Sequence, residues 1–443
     1  CEDKKLIGIL TQGDIRNLIL KKIPLENKVL NYINKKYYSL PATIESSEAF
    51  KSLKSGRRII PLLNRNKELV DYVSFNKLKN IPLVKPDFNG NELTYLTKCI
   101  QSTFISSVGN YINIFEKQFK DYFNANESLS VSSCTAGLHL VLKSLNLKST
   151  DEVIVPNVTF ISPISSIIHS GAKPVLCDID QKNLTIDSLD LKKKITKKTK
   201  VIICVHTYGH SCNMNKILSL IKGKNIILIE DCAEAIGSKY KSKNLGTFGD
   251  FAVFSFYGNK TITTGEGGMI IFKKKKDYEK CKILRNHGMS IKKRYWHDQI
   301  GFNFRMTNLQ AAVGVAQFER IKLFIKNKIE IAKEYKKNLK NFNKITLPFE
   351  EKWATHSYWL FNILIKDISK NKRDIIIKKL NAQGIEARPM FYPASDMKIY
   401  KKYANNKQNY SRLSYRGISL PSFVGLKNSQ IKVICNQLKR LIK

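Results

Sequence analysis

Acidic residues are scarce in this 443-residue chain: 36 Asp and Glu stand against 76 Lys and Arg, a formal net charge of +40. A basic stripe would be the electrostatic footprint of phosphate-backbone binding, but here the lysines are spread along the chain. Runs such as Lys192 to Lys194 and Lys273 to Lys276 lie between elements, with no interleaved aromatics. No nucleic-acid partner is expected, and the charge excess is left to steer an anionic ligand. The chain also lacks any uninterrupted apolar run of membrane-spanning length and any opening signal-peptide pattern, so no membrane is expected and the cytoplasm is the expected compartment. Its nine cysteines include no C-x-x-C pair, and its histidines show no paired zinc spacing. No metal is expected, and the thiols read as reduced and mostly buried. With 43% hydrophobic residues the chain can build a full core and more than one domain. It begins with Cys1 in the middle of what reads as a module, so an N-terminal truncation is expected.

What is present centres on residues 250–270. The run Phe251 to Phe256 is apolar and aromatic, and it leads through Tyr257, Gly258 and Asn259 to Lys260, then to a Gly265, Glu266, Gly267, Gly268 corner. This reads as strand, exposed loop, tight turn and strand, with Lys260 presented at a strand end. A lysine held among aromatics and backbone turns is partly desolvated, which favours the amine that attacks carbonyls and forms Schiff bases. Upstream, Ile226 to Ile229 form an apolar strand ending in Glu230 and Asp231. A carboxylate there has the placement of the pyridinium partner in pyridoxal phosphate enzymes, although taken alone it could be a helix N-cap.

These pieces resemble the DegT/DnrJ/StrS sugar aminotransferase family. The likeness runs from the Ile81 to Pro86 opening, through Ser133 to Ala136, Pro156 to Phe160, His206 to Gly209, Asp231 and Lys260, to Arg285 to Gly288 and Gly301 to Met306. It implies a fold-type I pyridoxal phosphate transferase of the α/β class. A large domain, 81–325, would carry a mostly parallel seven-stranded sheet, and a smaller α/β domain would occupy 326–443. Pyridoxal 5'-phosphate would be the cofactor, with Lys260 as the catalytic lysine. Thr135, Ala136, Phe160, Asp231, Glu234, Ser255 and Asn303 would bind the cofactor, Asn303 reaching the site of a neighbouring subunit in a homodimer with shared sites. His206, Tyr208, Arg305, Arg388 and Tyr392 would contact substrate. The helix after Cys134 has small first-turn residues that leave N–H groups free, which an ordinary N-cap would also use; the resemblance implies that it is the phosphate cup. The Arg388 to Pro393 run and the Arg416 to Ser422 segment look most like the GDP-perosamine synthase branch. That implies transfer of an amino group from L-glutamate to a 4-keto-6-deoxy nucleotide-sugar. GDP-4-keto-6-deoxy-mannose is the preferred substrate; the alternatives are a UDP-linked 4-keto sugar and, behind it, a CBS-regulated nucleotide-sensing protein. The family's 3-dehydratases carry histidine where Lys260 stands.

Residues 1–80 resemble the end of one CBS motif followed by a second. Such pairs bind adenine nucleotides through a Thr and an Asp three residues later, a pattern that Thr11 and Asp14 match. The second motif lacks it, running from Phe75 into Asn76 and Lys77. The module reads as a dimerisation or vestigial regulatory element, with nucleotide binding left open.

Overall fold

The computed structural model describes residues 5–24, 26–44, 48, 52–53, 59–74, 80–404 and 410–442. It divides into two compact units, Cys1–Ile81 with Gln383–Ile385, and Pro82–Ala382 with Glu386–Lys443.

In the first unit the helix Gln12–Leu20 starts at Thr11, whose hydroxyl accepts the Asp14 N–H at 3.2 Å while Asp14 accepts the Thr11 N–H at 2.8 Å. The Thr and Asp that match the nucleotide-binding pattern thus close a reciprocal capping box on their own helix. Leu40–Pro41 lies parallel to Ile59–Leu63, which pairs antiparallel with Leu69–Ser74. Phe75 to Lys77, where the second motif departs from the pattern, fall outside the described residues.

The second unit is built on a seven-stranded sheet. Its spatial order is Glu127–Val131, Gly268–Phe272, Phe251–Ser255, Ile227–Asp231, Thr199–Val205, Glu152–Pro156, Lys173–Cys177. Only Gly268–Phe272 runs antiparallel to its neighbours, because it follows Phe251–Ser255 through the turn that carries Lys260. Period-two alternation sends the side chains of the central strands to two cores. Val153, Val155, Val201, Ile203, Phe251 and Val253 fill one face, while Ile154, Ile202, Cys204, Ala252 and Phe254 fill the other. On the second face Phe115 and Phe119 of the helix Asn110–Phe123 pack against Phe256, at 5.0 and 5.4 Å between ring centroids. The helix Asn308–Glu319 approaches closely, since a Cβ at Gly314 would sit 2.6 Å from the Phe115 ring.

A smaller antiparallel sheet, in the order Ile345–Thr346, Phe361–Ile365, Gly417–Leu420, Arg388–Pro389, forms the C-terminal part. The boundary expected at 325/326 falls inside one continuous helix, Ile321–Leu339. Its apolar residues Phe324, Ile331, Tyr335 and Leu339 keep one stripe buried throughout, so nothing interrupts the chain there.

Candidate active site

A cavity of about 560 Å³ opens at the C-terminal ends of the parallel strands, where Val205, Asp231 and Ser255 end their strands and line its wall. Strand ends of open α/β sheets collect ligands because side chains and helix N-termini converge there. Ser255 faces inward because its neighbours Phe254 and Phe256 are drawn into the aromatic core. The loop that follows closes on itself through a bridge between Tyr257 and Gly265, the latter at φ +83°. This returns the chain to Gly268 and leaves Lys260 pointing into the cavity.

Lys260 Nζ lies 3.8 Å from Glu234 Oε1 and 3.8 Å from the centroid of the Trp359 ring. Glu234 is buried, and its Oε2 accepts the Tyr208 N–H at 2.6 Å. Burial, only partly offset by Lys260 and that N–H, pushes its carboxyl up to about 7. Asp231, also buried, accepts the Ala233 N–H at 3.0 Å, and its carboxyl is likewise raised by burial. Tyr208 adopts φ +56°, a costly conformation for a non-glycine residue. Its ring lies nearly parallel to those of Trp359 at 6.1 Å and Phe391 at 5.1 Å, which are themselves 6.4 Å apart, so the three form one cluster.

At the other end the helix Cys134–Ser144 points its N-terminus into the cavity, and its first N–H groups have no intrahelical partners. Ser133 caps the Ala136 N–H at 3.1 Å. Ser162 donates to Thr135 at 2.7 Å, and with Ser255 these three hydroxyls line one pocket. A Cβ on Gly268 would lie 2.8 Å from the Cys134 nitrogen, so the glycine keeps this cradle open. Hydroxyls and free N–H groups at a helix N-terminus suit a phosphate, and a lysine and a buried carboxylate beyond it suit an aldehyde and a ring nitrogen.

The structure therefore brings Thr135, Phe160, Tyr208, Asp231, Glu234, Ser255, Lys260 and Arg388 to one cavity. Arg388 is held at its rim by Glu386, at 2.6 and 3.0 Å. Five expected residues stand elsewhere. Ala136 is buried, with its N–H used by the Ser133 cap. His206 is wholly buried; Nε2 donates to Glu230 at 3.0 Å and Nδ1 accepts the Cys212 N–H at 3.1 Å, which corrects its reading as a substrate contact. Tyr392 packs with Arg373 and Tyr415, its hydroxyl 3.3 Å from Arg373. Asn303 and Arg305 bond to one another at 3.0 and 3.2 Å outside the cavity of their own chain.

His206, Glu230 and Cys232 bring possible ligand atoms within 4.8 Å of one another. Glu230, however, also accepts N–H bonds from Gly246, Phe248 and Gly249, so its oxygens and both His206 nitrogens are spent on the fold. Sequence reasoning missed Ser162, Trp359 and Phe391. Ser162 had a signal, being a hydroxyl residue before Pro163 at a helix start. Trp359 had none, since it lies far along the chain from Lys260.

The chain matches the DegT/DnrJ/EryC1/StrS aminotransferase family over residues 86–439. It is 44% identical over 361 residues to a GDP-perosamine synthase of Escherichia coli O157:H7, covering 82% of this chain and 98% of that protein. A GDP-perosamine synthase of Vibrio cholerae is 42% identical over 361 residues, with 81% and 98% covered. Among solved structures, the Escherichia coli GDP-4-keto-6-deoxy-D-mannose-3-dehydratase with bound hydrated PLP superposes with a TM-score of 0.75 at 25% identity, covering 82% of this chain and 99% of that one.

Proposed function

Because the chain belongs to the DegT/DnrJ/EryC1/StrS aminotransferase family, we propose that it moves an amino group from L-glutamate to C4 of GDP-4-keto-6-deoxy-mannose, yielding GDP-perosamine and 2-oxoglutarate. The observation that carries this reading is Lys260 Nζ inside the strand-end cavity, beside Glu234 and opposite the phosphate cradle. Pyridoxal 5'-phosphate is the cofactor. When bound it supplies a carbonyl carbon that exchanges amino groups and a ring that accepts an electron pair. Lys260 would hold it covalently, the Cys134 and Thr135 N–H groups with the Thr135, Ser162 and Ser255 hydroxyls would hold its phosphate, and Asp231 would hold the ring-nitrogen proton.

Freed by the donor, Lys260 Nζ can take a proton and hand it back across a short path. Glu234 Oε1, with its carboxyl poised at about 7, can hold or release a proton beside it. Phe160, 57% exposed and 6.0 Å from Phe391, stands at the mouth, where it can cover a flat ring. Arg388 at the rim offers its guanidinium to an anionic sugar nucleotide.

The site is proposed to be completed by a second copy, with Asn303 and Arg305 reaching the partner's phosphate cradle. In support, Asn303 is exposed, and the chain just before it carries bare apolar side chains, Ile291, Tyr295, Trp296 and Ile300. We place the reaction in the cytoplasm, where free thiols such as the eight described ones persist. The test is mass spectrometry of products from a panel of GDP- and UDP-linked 4-keto sugars with glutamate. Amination of the GDP-linked 6-deoxy sugar is expected, and turnover confined to UDP-linked sugars would overturn the substrate.

A further inference from the structure

Trp359 is 3% exposed, and its ring carries the Lys260 ammonium on its face at 3.8 Å. Its indole N–H donates at 2.8 Å to the carbonyl of Asn259, the residue before Lys260. One side chain thus grips the lysine loop twice, through the backbone next to the lysine and through the amine at its tip. The ring is itself fixed from several directions. Tyr358, immediately before it, adopts φ +50°, a strained conformation that tertiary contacts must hold. Those contacts are a 2.9 Å bond from the Tyr358 N–H to His356 and a 2.7 Å bond from the Tyr358 hydroxyl to Glu350.

Behind it lies Lys328 of the helix Ile321–Leu339, 3% exposed, donating at 2.9 Å to the Trp359 carbonyl and also to the Ser422 carbonyl. Among the described residues no carboxylate forms an ion pair with it, and burial alone pushes its amine down to about 7. A lysine so placed is costly unless its donors are used, and both of these carbonyls use it.

We propose that Trp359 is the positioning residue that sets where the Lys260 amine sits, and that the buried Lys328 amine sets Trp359. A cation on an indole face is attracted by the ring quadrupole, so the contact at 3.8 Å draws the tip of Lys260 to one place in the cavity. Carbonyl and ring are joined through one rigid residue, and a shift of Trp359 would therefore move both grips on the lysine loop together.

The inference rests on Lys260 as the reacting lysine, and its test is chosen to read that side chain without turnover. Cofactor-free protein is acylated with acetic anhydride at fixed pH, and modification of Lys260 relative to the other lysines is followed by peptide mass spectrometry. In Trp359→Leu the amine loses the ring face and keeps Glu234 as its charged neighbour, and relative labelling of Lys260 is expected to rise about 2- to 30-fold, the ratio a cation–π contact of usual strength gives. Trp359→Phe keeps a ring face but loses the bond to Asn259 and is expected to fall between. Lys328→Met is expected to shift labelling in the same direction, with Lys328→Gln, which retains a donor, partly restoring the wild-type value. In the loaded enzyme the same variants should lower kcat at least about tenfold while KM for the nucleotide-sugar changes less than about threefold, since orientation rather than binding is lost.

Wild-type labelling in Trp359→Leu, in a protein with an unchanged circular dichroism spectrum, would show that the ring is only a wall. A response in Trp359→Leu with none in Lys328→Met or Lys328→Gln would overturn the role of Lys328. Failure of the substrate assignment would leave these labelling ratios unaltered, so the two readings fail separately.

Discussion

Glu234 and Asp231 are both buried carboxyls within one cavity, yet the contacts around them assign them different work. Glu234 titrates near 7 in the folded protein against an ordinary value of 4.5. A raised carboxyl stabilises the fold below its unfolded value and loses that contribution as pH rises through the folded one. Glu234→Gln has no such loss. In cofactor-free protein the variant should therefore gain stability over wild type between pH 4.5 and about 7, by on the order of 3 kcal/mol, and hold that gain at higher pH. Urea unfolding at a series of pH values reads the difference, and parallel curves would mean that Glu234 is not the titrating group. Asp231→Asn should keep part of its cofactor affinity but lose most activity, because a neutral amide cannot hold the proton on the ring nitrogen. Cofactor titration beside steady-state kinetics measures both, and wild-type rates would reduce Asp231 to a cap on the Ala233 N–H.

The strand Gly268–Phe272 and the helix Cys134–Ser144 meet at the proposed phosphate cradle, and the size of one residue decides how closely. A Cβ at Gly268 would come within 2.8 Å of the Ser133 carbonyl carbon and the Cys134 nitrogen, and 2.9 Å of the Phe254 carbonyl. All three are backbone atoms that cannot swing aside. Gly268→Ala is expected to destabilise the protein by about 1–3 kcal/mol and to weaken cofactor binding at least about tenfold by turning the helix N-terminus. Thermal unfolding and cofactor titration together test this. An unchanged cofactor affinity in a destabilised variant would separate packing from the cradle.

At the scale of the whole molecule, composite sites predict complementation. Lys260→Ala mixed with a variant damaged at Asn303, each inactive alone, should recover up to about a quarter of wild-type activity, because one hybrid pocket in two keeps both residues. Heterodimers that form and remain inactive would show that each chain builds its own site. The family match begins at residue 86 and every cavity residue lies in the second unit, so a chain starting near residue 80 should keep its transamination rate. Kinetics of the two lengths, with and without AMP or ATP, test this. A nucleotide response confined to the longer chain would give Thr11 and Asp14 a task beyond their capping box.

Lys260 and Asp231 could be placed from sequence because each sits at or just past the end of an apolar strand, and strand ends in a parallel sheet share one edge whatever the packing; Ser255 came only through the family resemblance. The cup at Thr135 was legible from small residues opening a helix together with the family resemblance. His206 was misplaced by one step of strand pleat. Val205 faces the cavity, so the side chain after it turns to the opposite core, where Glu230 fixes it. The boundary expected near residue 325 falls within the helix Ile321–Leu339, whose buried stripe runs on past it without a break. Local pattern thus determined the strands, the lysine turn and the phosphate helix, since each depends on neighbours within a few residues. Tertiary structure alone decided that Trp359 would lie under Lys260, that Lys328 would hold it, and that burial would bring Glu234 to about 7, because these depend on which distant segments share one desolvated space.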